Sequence, residues 1–96
     1  MDYKLRFHEL ALQEWNKLDK SLREQFKKKL AERLKHPLVP SAALSGMPDC
    51  YKIKLRQAGY RIVYRIEDDI IFVTVIAIGK HDKSTSYDAA KKRVLG

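Results

Sequence analysis

At 96 residues the chain has the size of one small compact domain, with no room for a second hydrophobic core. Hydrophobic residues at 45% and charged residues at 33% mark a folding globular chain, and no apolar run nears the ~18 residues of a membrane span. Twenty Lys and Arg against 12 Asp and Glu leave +8, a field that favours polyanions: nucleic acid, an anionic membrane surface or an acidic protein.

A single cysteine, Cys50, can form no internal disulfide, and the charged start from Met1 to Arg6 lacks the apolar stretch of a signal peptide. A cytoplasmic protein is expected. The histidines, His8, His36 and His81, are scattered with no carboxylate cluster beside them, so no metal site and no cofactor are expected.

Tyr3 to Phe7 alternates apolar residues with Lys4 and Arg6, the pattern of a half-buried strand. Ala11, Trp15 and Leu18 then recur at helical spacing, Asp19-Lys20-Ser21 breaks that helix, and Leu22, Phe26, Leu30 and Leu34 repeat every fourth residue. Ser21-Leu22-Arg23-Glu24 reads as a capping box for the second helix, and His36-Pro37 ends it. Pro37 to Asp49 is the longest irregular stretch. Tyr51, Ile53 and Leu55 alternate with Lys52, Lys54 and Arg56, and after Gln57-Ala58-Gly59 a second alternation runs from Tyr60 to Ile66; together they predict a hairpin. Glu67-Asp68-Asp69 turns into Ile70 to Ile78, apolar on both faces and therefore a central or doubly covered strand. A short helix from Thr85, with Lys91, Lys92 and Arg93 near its end, closes the chain. The expectation is one α+β domain over residues 1–96, in the order β-α-α-β-β-β-α. The helical hairpin and C-terminal helix pack on one face of a mainly antiparallel four-stranded sheet.

The hairpin's register follows from its apolar face. Antiparallel partners share a face, so Leu55 pairs with Tyr60, Ile53 with Ile62 and Tyr51 with Tyr64. The other face is then forced: Lys54 stands against Arg61, Lys52 against Val63, and Arg56 near the turn. Residues 50–65 hold five cations, Lys52, Lys54, Arg56, Arg61 and Arg65, and no carboxylate. Like charges directly opposite are destabilising, and phosphates would relieve them. A solvated outer sheet face is the alternative reading.

Such a face has a route to RNA cleavage. A base takes the ribose 2′-OH proton, cations stabilise the phosphorane, and an acid protonates the departing 5′ oxygen. An ordinary lysine, with a pKa near ~10.4, is rarely neutral at pH 7, but neighbouring cations lower that value. DNA lacks the nucleophile. The strand after Asp69 runs back to the hairpin turn, so Lys80, His81 and Lys83 emerge near Arg56 and Arg61. His81 reads either as a general acid or as a surface loop histidine, and Tyr87 either as a base-stacking residue or as a helix residue packed on the sheet. Lys27-Lys28-Lys29 fans around a helix as a solvated face.

The run Gly46-Met47-Pro48-Asp49-Cys50-Tyr51-Lys52-Ile53-Lys54-Leu55-Arg56, with Gly59-Tyr60-Arg61 and Val63-Tyr64, closely resembles the RelE family of bacterial toxins. Arg23-Glu24-Gln25, Lys27-Lys28-Lys29-Leu30, Gly79-Lys80 and Tyr87 extend the resemblance over nearly the whole chain. It implies a RelE-like fold and the toxin of a type II toxin–antitoxin pair, a ribosome-dependent endoribonuclease that cuts mRNA in the A site and stops translation. It implies Lys52 and Lys54 as catalytic lysines, Arg61 as the transition-state arginine and Tyr87 as the residue orienting mRNA bases. His81 stands where the family has arginine as leaving-group acid or charge stabiliser. Arg56, Arg65, Lys80 and Lys83 complete the expected RNA contacts. The implied partners are a RelB-like antitoxin, the 70S ribosome with its rRNA and A-site mRNA, and operator DNA only through the toxin–antitoxin complex, with no membrane. A ParE-like toxin acting on DNA gyrase and an inactive rRNA-binding homologue are the alternatives.

Overall fold

The computed structural model describes residues 2–67, 71–80 and 85–95. Four strands, β1 (Lys4–Phe7), β2 (Cys50–Leu55), β3 (Tyr60–Glu67) and β4 (Phe72–Lys80), form one sheet in the order β1-β4-β3-β2. Three helices accompany it: α1 (Glu9–Lys17), α2 (Lys20–Lys35) and α3 (Thr85–Leu95). β2, β3 and β4 are antiparallel neighbours, whereas β1 lies parallel to β4. The sheet is therefore mixed, because the α1–α2 excursion separates β1 from the hairpin strands and lets β1 join the far edge in β4's direction. β4 is central, as its two apolar faces require. No described helix is long and apolar enough to cross a membrane.

The helices do not share one face. Ala11 and Leu18 of α1 and Phe26 and Leu30 of α2 pack on Ile53, Leu55, Ile62, Tyr64, Val73, Val75 and Ile78, with Trp15 bridging Phe7 and Phe26. α3 lies on the opposite face, where Ala90 and Tyr87 join Met47, Cys50, Val63, Ile76 and Ala77. The small Ala77, with Val63 beside it, leaves an apolar seat for α3 on the outer face.

Helix starts differ in one place from the sequence reading. His8 caps α1, its Nδ1 accepting from the Leu10 amide at 3.1 Å. Asp19, not Ser21, caps α2, its Oδ1 accepting from the Leu22 amide at 2.8 Å, so the helix begins two residues earlier and Ser21 lies inside it. An ionised carboxylate two residues upstream outcompetes a neutral hydroxyl for the helix's free donors.

β4 runs to Lys80, two residues past the expected end, and carries a bulge: Val63 pairs with Ala77 and Tyr64 with Val75, leaving Ile76 extra. β1 ends opposite Val75, where the His8 amide donates to the Val75 carbonyl at 2.8 Å. Beyond that point the edge of β4 has no strand beside it. Two side chains take the strand's place: Glu14 of α1 accepts from the Ile78 amide at 3.1 Å, and Arg93 of α3 donates to the Ile76 carbonyl at 2.8 Å. They also bind each other through paired contacts of 2.8 and 3.1 Å, a bidentate bridge tying the helices of the two faces around the sheet edge. Arg93→Ala and Glu14→Ala are each expected to lower the unfolding free energy by about 1.5–3 kcal/mol, the range for hydrogen bonds to charged groups. Either change breaks the same bridge, so urea unfolding of the double variant should show a loss well short of the sum; additive losses would mean that the two side chains act independently.

Candidate active site

The hairpin folds in the register its apolar face dictates. Leu55 pairs with Tyr60, Ile53 with Ile62 and Tyr51 with Tyr64, and the outer face accordingly sets Lys54 opposite Arg61 and Lys52 opposite Val63. The turn Arg56–Gly59 closes with the Gly59 amide on the Leu55 carbonyl at 2.8 Å, and Gly59 takes φ 71, a left-handed conformation that a side chain would strain. The amide of Ile66 donates to the Asp49 carbonyl, which places residues 51, 53 and 55 in the hydrogen-bonded pairs. Lys54 and Arg61 therefore form a non-hydrogen-bonded pair, the kind whose side chains stand closest.

Arg61 is buried, at 6% exposure, with its guanidinium carbon 3.9 Å from the centre of the Tyr87 ring. Tyr87 reaches it because Gly79, opposite Arg61 on β4, has no side chain: a Cβ there would stand 3.3 Å from the Ser86 Cβ. The resulting close approach of α3 lays an aromatic ring on the cation. Lys52 is half-buried and Lys54 exposed. Lys52 first, then burial, Arg61 and Arg56, hold the Lys54 ammonium below the usual lysine range. Neither lysine forms a salt bridge with a described carboxylate. Glu67, the acid on this face of β3, is taken up by the Arg6 guanidinium and the Thr74 hydroxyl at the other end of the sheet.

The backbone beneath Lys52 is clamped. Arg33 of α2 donates to the Lys52 carbonyl at 3.0 Å and to the Tyr64 hydroxyl at 2.9 Å, and Tyr64 donates onward to the Pro37 carbonyl at 2.7 Å. Tyr51 stacks on Tyr64 with ring centres 5.7 Å apart. β2 is an edge strand, and this network supplies the lateral restraint that a further strand would have given.

Of the sequence-predicted residues, Lys52, Lys54, Arg56, Arg61 and Tyr87 converge. Arg65 shares the face but lies opposite Cys50, four residues from Arg61 along the strand, or roughly 13 Å. Its charge is felt by the Cys50 thiol, whose pKa burial raises and Arg65 partly restores. Lys80 reaches the level of the turn, as expected, but pairs with Tyr60, so the pleat directs it to the face opposite Arg61. His81 and Lys83 lie outside the described residues. The sequence reading assigned no supporting role to three residues that have one: Arg33, Gly79 and Arg93. Arg33 is one cation among many on a helix, and only Gly79, a small residue at a strand end, carried any local signal. Among the described residues no group of three His, Cys, Asp or Glu side chains could hold a metal ion.

The profile of the ParE toxin of type II toxin–antitoxin systems, parDE, matches residues 5–85. The chain belongs to this toxin family. It is 53% identical over 95 residues to the mRNA interferase toxin RelE of Escherichia coli K12, covering 99% of this chain and 100% of that one. A doubly substituted E. coli RelE in its free state superposes with a TM-score of 0.91 at 53% identity, covering 99% of this chain and 100% of the other. RelE in the intact E. coli RelBE toxin–antitoxin complex superposes with a TM-score of 0.79 at 55% identity over 81% of this chain and 95% of that one.

In the free toxin, NMR titration of the lysine side chains should find Lys54 losing its proton at lower pH than an ordinary lysine. Lys52→Gln should move that titration up, and by more than Arg56→Gln does, in the order of their influence. An unshifted Lys54, or equal responses to the two substitutions, would contradict the electrostatic account.

Proposed function

We propose that this toxin is a ribosome-dependent mRNA interferase that cuts mRNA in the ribosomal A site, using its own side chains to drive 2′-OH attack on the adjacent phosphate. The reading is carried by the Lys54–Arg61 pair with Lys52 beside it, cations that the hairpin register brings together on the face where α3 presents Tyr87. The E. coli relative, matched along its whole length, is an mRNA interferase toxin by name.

In this mechanism neutral Lys54 takes the 2′-OH proton, and the cations that depress its pKa hold the phosphate once it arrives. The attacking oxygen bonds to phosphorus, the bond to the 5′ oxygen breaks, and the proton returns to that oxygen from an acid. His81 is proposed for this last step. Arg61, restrained between β3 and the Tyr87 ring, stabilises the pentacoordinate charge, and Lys52 orients the phosphate from a clamped strand. The exposed part of Tyr87 stacks on a splayed mRNA base. Arg56 contacts RNA at the turn, while Arg65, Lys80 and Lys83 serve docking on rRNA rather than the reacting phosphate. A RelB-like antitoxin neutralises the toxin, as a RelB partner does in the E. coli complex, and operator DNA is met only through the toxin–antitoxin complex.

Toxin added to mRNA-programmed ribosomes, followed by primer extension, should produce a cut inside the A-site codon. Lys52→Ala and Lys54→Ala should reduce it by about 10²-fold or more, as for loss of a general base. Intact mRNA with gyrase trapped on DNA would instead support a ParE-like activity, and intact mRNA with retained ribosome binding an inactive rRNA-binding homologue. For the acid, the alkaline limb of the pH–rate profile should vanish in His81→Ala; an unchanged profile removes His81 from the mechanism.

A further inference from the structure

A second polar depression lies around the edge of β2 from the cation cluster. It has a volume of about 290 Å³ and is lined by Gln25 and Lys29 of α2, Lys54 and Leu55 at the end of β2, and Arg56 and Gln57 of the turn. Three cations and two amides line it, without a carboxylate, and Lys29, Lys54 and Arg56 form no salt bridge with any described residue. Exposed cations brought together in this way cost the free protein stability unless an anion joins them.

The backbone adds a donor. With residues 51, 53 and 55 hydrogen-bonded to β3, the N–H and C=O of Lys54 turn away from β3, toward the open edge. Farther up the same edge, Arg33 takes the Lys52 carbonyl, and Ala43 bridges to Tyr51. Among the described residues, none makes a comparable bond at the Lys54 edge. Phosphate oxygens suit an outward amide with ammonium and guanidinium groups around it. Side-chain amides that both donate and accept suit a base edge or a ribose hydroxyl.

We propose that this depression is a nucleotide subsite for the substrate strand, holding the phosphate and base of the mRNA nucleotide that adjoins the cleaved bond. Lys29, Arg56 and the Lys54 amide bind the phosphate, and Gln25 and Gln57 read the base. The subsite rests on the interferase reading, because Lys54 lines both places: a strand whose reacting phosphate lies over Lys52 and Lys54 passes directly across the β2 edge into it. That continuity favours the cleaved strand over an rRNA phosphate as occupant. Lys29 thereby acquires a role distinct from its neighbour Lys27. Two positions earlier on the helix, Lys27 points elsewhere, pairs with Glu24 at 3.5 Å and borders the groove of Leu5 and Phe7.

The test compares Lys29→Gln, Lys29→Arg and Gln57→Ala with Lys27→Gln, a control of equal charge loss. In the first arm a fluorescein-labelled RNA hexamer with 2′-O-methyl sugars, which cannot be cleaved, is titrated with free toxin at several salt concentrations. Lys29→Gln should make the dependence of log affinity on log salt shallower by about 0.7, one single-strand phosphate contact, while Lys29→Arg and Lys27→Gln keep the wild-type slope. In the second arm, on programmed ribosomes, Lys29→Gln should raise KM about three- to tenfold at every codon, the mark of a lost phosphate contact. Gln57→Ala should change the relative cutting of codons that differ at one base. A KM effect on ribosomes with no change in hexamer slope and no codon effect would assign Lys29 to rRNA and overturn the proposal. So would wild-type cleavage with both variants within about twofold of Lys27→Gln throughout. Hexamer binding through Lys29 by a toxin that leaves ribosomal mRNA intact would support the subsite and overturn the interferase reading instead.

Discussion

One constraint underlies the site: the inner face of the β2–β3 hairpin must be buried. Ile53, Leu55, Ile62 and Tyr64 are all at most 6% exposed, and a slip of one residue would turn every one of them to the outer face. Burying a side chain of this size contributes about 1.5–3 kcal/mol, so the set greatly outweighs the repulsion between a few partly solvated cations, each such pair being worth up to ~1 kcal/mol. Lys54 is held against Arg61 by hydrophobic burial on the other side of the same strands. The charge cluster is thus a strain the core can sustain, and one that an anion such as phosphate would relieve.

The remainder of the fold keeps that cluster from relaxing. Strands at a sheet edge splay easily, and each open edge here is restrained by side chains. Arg33 and Tyr64 hold β2 at the Lys52 carbonyl. Glu14 and Arg93 replace a missing neighbour beyond the end of β1 and fasten α3 to the body. α3 in turn carries Tyr87 onto Arg61, through an approach that Gly79 permits. A toxin of this size has few residues to spend on a second layer, and several serve both the fold and the site. Arg93 completes a sheet edge and positions a helix; Tyr64 fills the core and anchors an arginine.

Features set by local pattern were legible in the sequence. Period-two alternation with a short turn defines the hairpin and its register pair by pair, so the Lys54–Arg61 pairing is legible in the sequence. Period-four repeats similarly located α1 and α2, and two apolar faces identified β4 as central. Features set by long-range packing were not. Nothing local tells Thr85–Leu95 which face of the sheet to cover; that depends on the small Val63 and Ala77 meeting Ala90 across the outer face. The side of the pleat from which Lys80 emerges depends on where β4 ends, and strand ends leave little trace in composition. Arg33 sits among the basic residues of α2 with no mark separating a clamp from a solvated charge, and Lys29 is equally anonymous. His81 and Lys83 lie outside the described residues, so their part rests on sequence and on chemistry.

Lys54 and Arg61 repel one another in the free protein because the core holds them together. A double-mutant cycle on stability with Lys54→Gln and Arg61→Gln isolates that interaction from the loss of the Tyr87 contact, which both arms of the cycle share. Lys54→Gln should stabilise the wild-type background more than it stabilises Arg61→Gln, with the difference shrinking as salt rises. A coupling of opposite sign, or none at low salt, would contradict it.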